Sequence, residues 1–251
     1  MKHSIGAQTI VWGESIRQQY ESIVRFLAQV GYEGVETGMR HFDPANPSRY
    51  TELFRETGVK PLAVHVGGKF WDPSQAEEEL RKIQEAILFA SQVGFSYLVT
   101  SGNPQETPET ARTAAETYAR IGAQCRAQGV QFAYHNHNWE LKEDARILRE
   151  LVERTNPEDV SFVLDVAWAY RAHANLETLF RLLGGRIAYL HVKDVKNDRF
   201  SELGTGEIPM DTVIRWAGQE GVKWLVVEQD TTTMSPEESM RVNYQYLRGT
   251  L

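Results

Sequence analysis

The chain holds a single cysteine, Cys125, so no internal disulfide can staple it, and a reducing cytoplasm suits it. Cys125 falls in a helical pattern between Ile121 and Ala127 and reads as a small core residue rather than a nucleophile. No apolar run approaches the length of a membrane span. Met1 to Gly6 lead straight into a strand-like segment without a signal-peptide core, so the expected location is the cytoplasm. Basic excess is missing too. The formal net charge of −7 argues against nucleic acid or an anionic membrane as the main partner. Linkers, low-complexity segments and long charge runs are also lacking, which predicts one domain over residues 1–251.

What the chain does have is alternation. At 41% hydrophobic and 24% charged it can bury a sizeable core. Short apolar runs predict strands at Ile5–Thr9, Gly34–Thr37, Pro61–Val66, Tyr97–Thr100, Val130–Tyr134, Val160–Val166, Ile187–Val192 and Trp224–Val227. Helical spacing fills the intervals. Ile16, Tyr20, Ile23, Val24 and Leu27 mark one apolar face, and Leu80, Ile83, Ile87 and Leu88 another. Pro73-Ser74, Thr107-Pro108 and Ser235-Pro236 read as helix starts, and Gly58, Gly129 and Gly221 as αβ turns. Eight βα units of about 31 residues fit a single (β/α)8 TIM barrel, with eight helices in strict alternation. A doubly wound open sheet is the alternative, disfavoured because no Gly-x-Gly-x-x-Gly turn follows the first strand.

In such a barrel the chemistry sits where the strands end. Those positions carry Gln8 and Trp12, Glu36, His65, Ser101-Gly102-Asn103, His135 and His137, Asp165 with Trp168 beyond, His191-Val192-Lys193-Asp194, and Glu228-Gln229-Asp230. The sharpest set is His135, Asp165, His191 and Glu228. Their spacings of 30, 26 and 37 residues each approximate one βα unit, so they stand at equivalent heights on successive strands. Two imidazoles and two carboxylates converging there suit Mn2+, Co2+, Zn2+ or Mg2+. The competing reading pairs Asp165 and Glu228 with Lys193 or an arginine and leaves the histidines as structural donors.

The chain resembles the xylose isomerase-like TIM barrels, the sugar phosphate isomerase/epimerase superfamily with its tagatose epimerase, inosose isomerase and inosose dehydratase relatives. The resemblance spans essentially the whole chain and is carried by Gly31–Glu36, Tyr134-His135-Asn136-His137, Leu164–Trp168, Leu190–Asp194, Gly204–Asp211 and Trp224–Asp230. It implies a divalent metal on Asp165, His191 and Glu228. The fourth ligand departs, because His135 stands where the epimerases have a glutamate. Where Trp168 stands, many epimerases have a histidine. The Tyr-His-Asn-His form is similar to the dehydratase-like branch, whose members act on inososes or 3-keto-glycosides. The resemblance also allows a homo-oligomer.

The resulting expectation is an isomerase or epimerase of a keto-sugar or inosose, working through α-proton abstraction and a metal-stabilised enediolate. A dehydratase or lyase on the same intermediate is the close alternative, and a non-catalytic sugar-binding barrel is the alternative of another class. An endonuclease IV-like DNA repair enzyme on this fold is disfavoured by the net charge. Glu228 is the expected base. His137 and Lys193 are candidate second acids, and Glu36 and His65 candidate polar substrate contacts. Any of these four could instead orient a metal ligand. Trp12 and Trp168 could face the sugar ring or form plain wall. Glu140, Asp43 and Asp72 are expected to be solvated or capping loop residues.

Overall fold

A computed structural model describes residues 2–103 and 107–251. Its centre is a closed parallel barrel of β1 (Ser4–Gln8), β2 (Gly34–Gly38), β3 (Lys60–Val66), β4 (Tyr97–Ser101), β5 (Gln131–His135), β6 (Ser161–Asp165), β7 (Ile187–Val192) and β10 (Trp224–Val227). A small antiparallel hairpin, β8 (Asp194–Lys196) and β9 (Arg199–Ser201), follows β7, and β10 closes the barrel against β1. Outside lie α1 (Ile16–Val30), α2 (Pro47–Thr57), α3 (Ala76–Val93), α4 (Pro108–Ala127), α5 (Lys142–Arg154), α6 (Val166–Arg171), α7 (Leu176–Leu183), α8 (Met210–Gln219) and α9 (Pro236–Thr250). The barrel agrees with the sequence reading. No described helix is long and apolar enough to cross a membrane.

The expected strict alternation fails in two places. Between β6 and β7 the chain forms two helices, because the Asp165 carboxylate accepts the backbone N–H groups of Ala167 (2.9 Å) and Trp168 (2.8 Å). That cap starts α6 at the strand's last residue with no loop at all. His173, at φ 53°, breaks the run, and Asn175 caps α7 through the N–H of Thr178. After β7 the Asn197-Asp198 pair, both at positive φ, turns the β8–β9 hairpin, a two-residue signal that period counting passes over. The helix starts at Thr107 and Ser235 stand as expected. By contrast α3 begins at Ala76, because the Asp72 carboxylate first caps a turn at Ser74.

Two apolar layers hold the barrel. One packs the helices on the outer faces of the strands; the other plugs the interior with Leu62, Ala63, Val99, Ala133, Val163, Tyr189, Trp224 and Val226. Gly34 is required by that plug, since a Cβ there would come within 2.9 Å of the Trp224 ring. Each Val or Leu side chain so buried contributes about 1.5–3 kcal/mol. The interior therefore offers a firm apolar floor for whatever the strands present above it.

Candidate metal centre and its cavity

Side chains alternate along a strand, so the residues two steps beyond the inward-facing layer also point inward. Starting from Ala63, Val99, Ala133, Val163, Tyr189 and Val226, that step reaches His65, Ser101, His135, Asp165, His191 and Glu228. Gln8 and Glu36 complete the ring above Gly6 and Gly34. Asp165 and His191 are direct cross-strand partners, and the N–H of Glu228 donates to the Val192 carbonyl. One polar layer thus caps one apolar layer around the whole barrel.

Within it His135, Asp165, His191 and Glu228, all buried, present one donor atom each within 4.8 Å of one another. His135 Nε2 lies 3.3 Å from Asp165 Oδ2 and 3.9 Å from Glu228 Oε2; His191 Nδ1 lies 3.4 Å from Glu228 Oε2 and 4.0 Å from Asp165 Oδ2. Ligands about 2.1 Å from one ion would stand about 3.4 Å apart in a tetrahedral set, so these separations suit a divalent cation. His191 Nδ1 is buried and makes no hydrogen bond, whereas its Nε2 donates to Glu36 Oε2 at 2.7 Å. Tyr189 donates its phenol proton to the same oxygen at 2.7 Å. A carboxylate behind an imidazole whose other nitrogen faces the donor cluster is the arrangement that orients metal-binding histidines.

The electrostatics point the same way. Burial would raise the Glu36 carboxyl, but the His191 charge outweighs it and holds it low. Burial likewise works against Asp165 and Glu228, yet the Lys193 ammonium keeps Asp165 below its ordinary value and Glu228 well below. Burial would lower His191; the carboxylates of Glu36 and Glu228 instead push it up to about 10. Glu36, Asp165 and Glu228 are held ionised, and one ammonium cannot balance them when the imidazoles are neutral, as metal ligands must be. A divalent ion would supply the missing charge.

Lys193 is fully buried, and its ammonium reaches Asp165 Oδ2 (2.6 Å), Glu228 Oε2 and Asp230 Oδ2 (2.9 Å). It donates hydrogen bonds to Asp165 and Glu228 and pairs by charge with Asp230, which places it behind the carboxylates rather than at the mouth where a second acid was expected. Glu36 corrects in the same direction. Expected as a polar substrate contact, it is fully buried under His191 and does not line the cavity. Trp12 is also absent from the cavity wall, because its indole N–H is turned to Glu237 Oε1 on α9 at 2.8 Å.

The cavity above the cluster, about 120 Å³, is lined by Glu228 and Asp230, by His65, His135 and His137, and by Trp168, Gln8, Ser101 and others. Burial lowers His137 to about 3 and His65 to about 4, so both are neutral imidazoles at ordinary pH. The His137 ring stacks on Trp139 at 4.2 Å between centroids and meets Trp168 at 5.3 Å. Burial also raises Asp230, against the pull of Lys193. Arg40 and His41 complete the wall and were missed. They sit on a short 3-10 turn after β2 (Met39–His41), where strand periodicity has ended, and only their nearness to Glu36 in sequence could have flagged them.

Two loop expectations separate. Asp43 and Asp72 cap turns at Ala45 and Ser74, as expected. Glu140 does not behave as a solvated residue: it is fully buried, accepting from Tyr134 Oη at 2.6 Å and from the His137 N–H at 2.9 Å. The Gly204-Thr205-Gly206 loop, at a position where many barrels hold phosphate, gives its N–H groups at Gly204, Gly206 and Ile208 to the Asp194 carboxylate.

A closed parallel barrel with such a cluster at its strand ends defines a class, the (β/α)8 barrels with a polar site at their C-terminal face. More narrowly, residues 24–250 match the xylose isomerase-like TIM barrel family, and the chain belongs to it. It is 23% identical over 294 residues to an inosose dehydratase of Mesomycoplasma hyopneumoniae (strain 7448), covering 98% of this chain and 95% of that protein. Among solved structures it is similar to a sugar phosphate isomerase/epimerase from Parabacteroides distasonis ATCC 8503, with a TM-score of 0.84, 19% identity, and 99% and 94% of the two chains covered. It is also similar to the IolI protein with a bound zinc atom, with a TM-score of 0.83, 16% identity, and 98% and 97% covered.

Proposed function

We propose that this chain is a divalent-metal-dependent enzyme that removes the proton α to the carbonyl of a keto-sugar or inosose and completes the reaction by eliminating a β-substituent, as a dehydratase or lyase. The observation that carries the choice of elimination is the one-sidedness of the cavity. Both carboxylates in its described wall, Glu228 and Asp230, come from the end of β10, and the remainder offers imidazoles, neutral groups and Arg40. Returning a proton to the opposite face, as an epimerase does, calls for a second base across the ring. His135 stands at that position, with Nε2 turned into the donor cluster. The inosose dehydratases among its relatives support the same reading.

His135, Asp165, His191 and Glu228 would hold the ion, which would supply Lewis acidity toward the substrate carbonyl. Glu228 turns Oε2 toward Lys193 and His191, while Oε1 makes no hydrogen bond among the described residues. Ionised at ordinary pH and lining the cavity, Glu228 is the group to accept the α-proton. Asp230, two residues on, is raised where Glu228 is lowered, the pattern that separates an acid from a base. Lining the cavity beside Glu228, it is the group placed to protonate the departing oxygen. His65 and His137, both neutral, can each donate to and accept from ring hydroxyls, and Trp168 offers an apolar wall to the ring. With its N–H groups given to Asp194, the Gly204–Gly206 loop favours an unphosphorylated substrate.

Mass analysis of products from inososes and keto-sugars, run with the Mn2+- or Co2+-loaded protein, tests this. A product one water lighter is expected, with kcat/KM falling at least about 10³-fold (~4 kcal/mol) in Glu228→Gln. A product of unchanged mass would assign isomerisation instead. No turnover of any such compound, together with no bound divalent ion, would overturn the enzyme reading.

A further inference from the structure

A second space opens on the same face of the barrel. Its wall comes from the segment after β2, the segment after β3 and the side of α3, and at about 420 Å³ it exceeds the 120 Å³ of the inner cavity. Arg40 and His65 line both, so the two spaces lie side by side at the mouth. Their chemistry differs. The inner cavity carries carboxylates and imidazoles, whereas the outer one is walled by Met39, Val66, Phe70, Ile83 and Ala86. Its charged groups are Arg40 and, on α3, Glu79, Lys82 and Glu85; Lys82 is already paired with Glu78 and Glu79. A free monosaccharide or cyclitol, hydroxylated all round, would gain little from that apolar wall.

We infer that the outer cavity binds an apolar substituent, of the size of an aromatic ring, carried by the sugar or cyclitol ring whose reacting carbons occupy the inner cavity. This rests on the proposed function for the position of the ring and adds to it the substrate class: a glycoside-like compound with an apolar, aryl-type group rather than a free sugar. Continuity is the argument for this occupant. A group attached to a ring in the inner cavity would leave it past His65 and Arg40, directly against Met39, Val66 and Phe70. The apolar surface buried there would raise affinity independently of the chemistry at the metal centre.

Binding of two unreactive probes, phenyl β-D-glucopyranoside and methyl β-D-glucopyranoside, measured calorimetrically on the full-length metal-loaded protein, tests the assignment. The phenyl compound is expected to bind at least about tenfold tighter. Ala86→Phe, which fills the outer cavity, and Met39→Lys, which makes its wall polar from the opposite side, should each bring the two affinities within about twofold while leaving the methyl glycoside unchanged. Two variants guard against one failing to fold, and unchanged methyl-glycoside binding is the internal control. Equal affinity of the two probes in the parent protein, or a preference that survives both substitutions, overturns the outer-cavity assignment and leaves the proposed function standing. Turnover of a free inosose with no binding of either glycoside does the same. No binding of either probe and no turnover of any ring compound overturns the underlying reading as well.

Discussion

Two buried tyrosine–glutamate pairs flank the candidate metal centre, and they do different work. On the β7 side Tyr189 donates to Glu36 at 2.7 Å, and the same oxygen takes the Nε2 proton of His191. On the β5 side Tyr134 donates to Glu140 at 2.6 Å, but Glu140 reaches only the main-chain N–H of His137. The cations decide the outcome. Glu36 faces a histidine held positive and is kept below its ordinary pKa despite full burial. Glu140 has no comparable cation, and burial pushes it up to about 7. His191 is thus fixed from behind by a charge, whereas His135 has no such carboxylate, and its Nδ1 is buried without a hydrogen bond. Similar local pairs therefore yield one rigid, charged support and one nearly neutral brace.

The most damaging way to test that contrast is to remove each imidazole. His191→Ala strands Glu36 as a buried carboxylate without its cation, which costs about 3–5 kcal/mol. His135→Ala removes a weaker contact, and Asp165 keeps Lys193 and two backbone N–H groups, so a loss of about 1–3 kcal/mol is expected. Urea denaturation of the metal-free proteins measures both. Equal losses would mean that the Glu36 support contributes nothing that the β5 side lacks.

The supports themselves can be neutralised without disturbing the imidazoles. Glu36→Gln keeps an acceptor for His191 Nε2 but removes its charge, and divalent-metal affinity should fall about 10- to 100-fold, measured by chelator competition. Glu140→Gln, which touches no imidazole, should leave that affinity within about threefold. A comparable fall in both variants would make the difference between the two pairs irrelevant to the ion.

How far the sequence foretold this depends on whether a feature repeats along the chain. The barrel and its set of His135, Asp165, His191 and Glu228 were legible because each βα unit delivers one side chain at the same height. Glu36 as the partner of His191 was not, since β2 and β7 are separated by β1 and β10 in the barrel and meet only across the closed interior. Lys193 follows His191 by two residues, and only the side chains around it show that its ammonium is held among three carboxylates. Arg40 and His41 lie on a 3-10 turn outside both the strand and helix periods. Glu140 lies on the loop after β5 and so was expected at the surface, and its burial comes from the way that segment folds back onto Tyr134.

The last test isolates Glu140 by pH. Its carboxyl is raised in the folded chain from an ordinary 4.5 to about 7, chiefly by burial, so between those values the folded protein holds a proton that the unfolded chain has released. Stability from this group is therefore fully present below about pH 4.5 and is lost as pH rises through 7. The shift corresponds to about 3 kcal/mol in total. Glu140→Gln cannot ionise, so its stability relative to the parent should improve by up to that amount between pH 4.5 and pH 8, whatever constant offset the amide introduces against the His137 N–H. Glu36 must behave in the opposite sense. Its pKa is lowered on folding, so its contribution is present above about 4.5 and is lost only as pH falls further. Denaturation of parent and variant across that range reads the difference directly. A parent-minus-variant curve that is flat from pH 4.5 to 8 would show that Glu140 finds a compensating cation after all, and the two tyrosine–glutamate pairs would then be electrostatically alike.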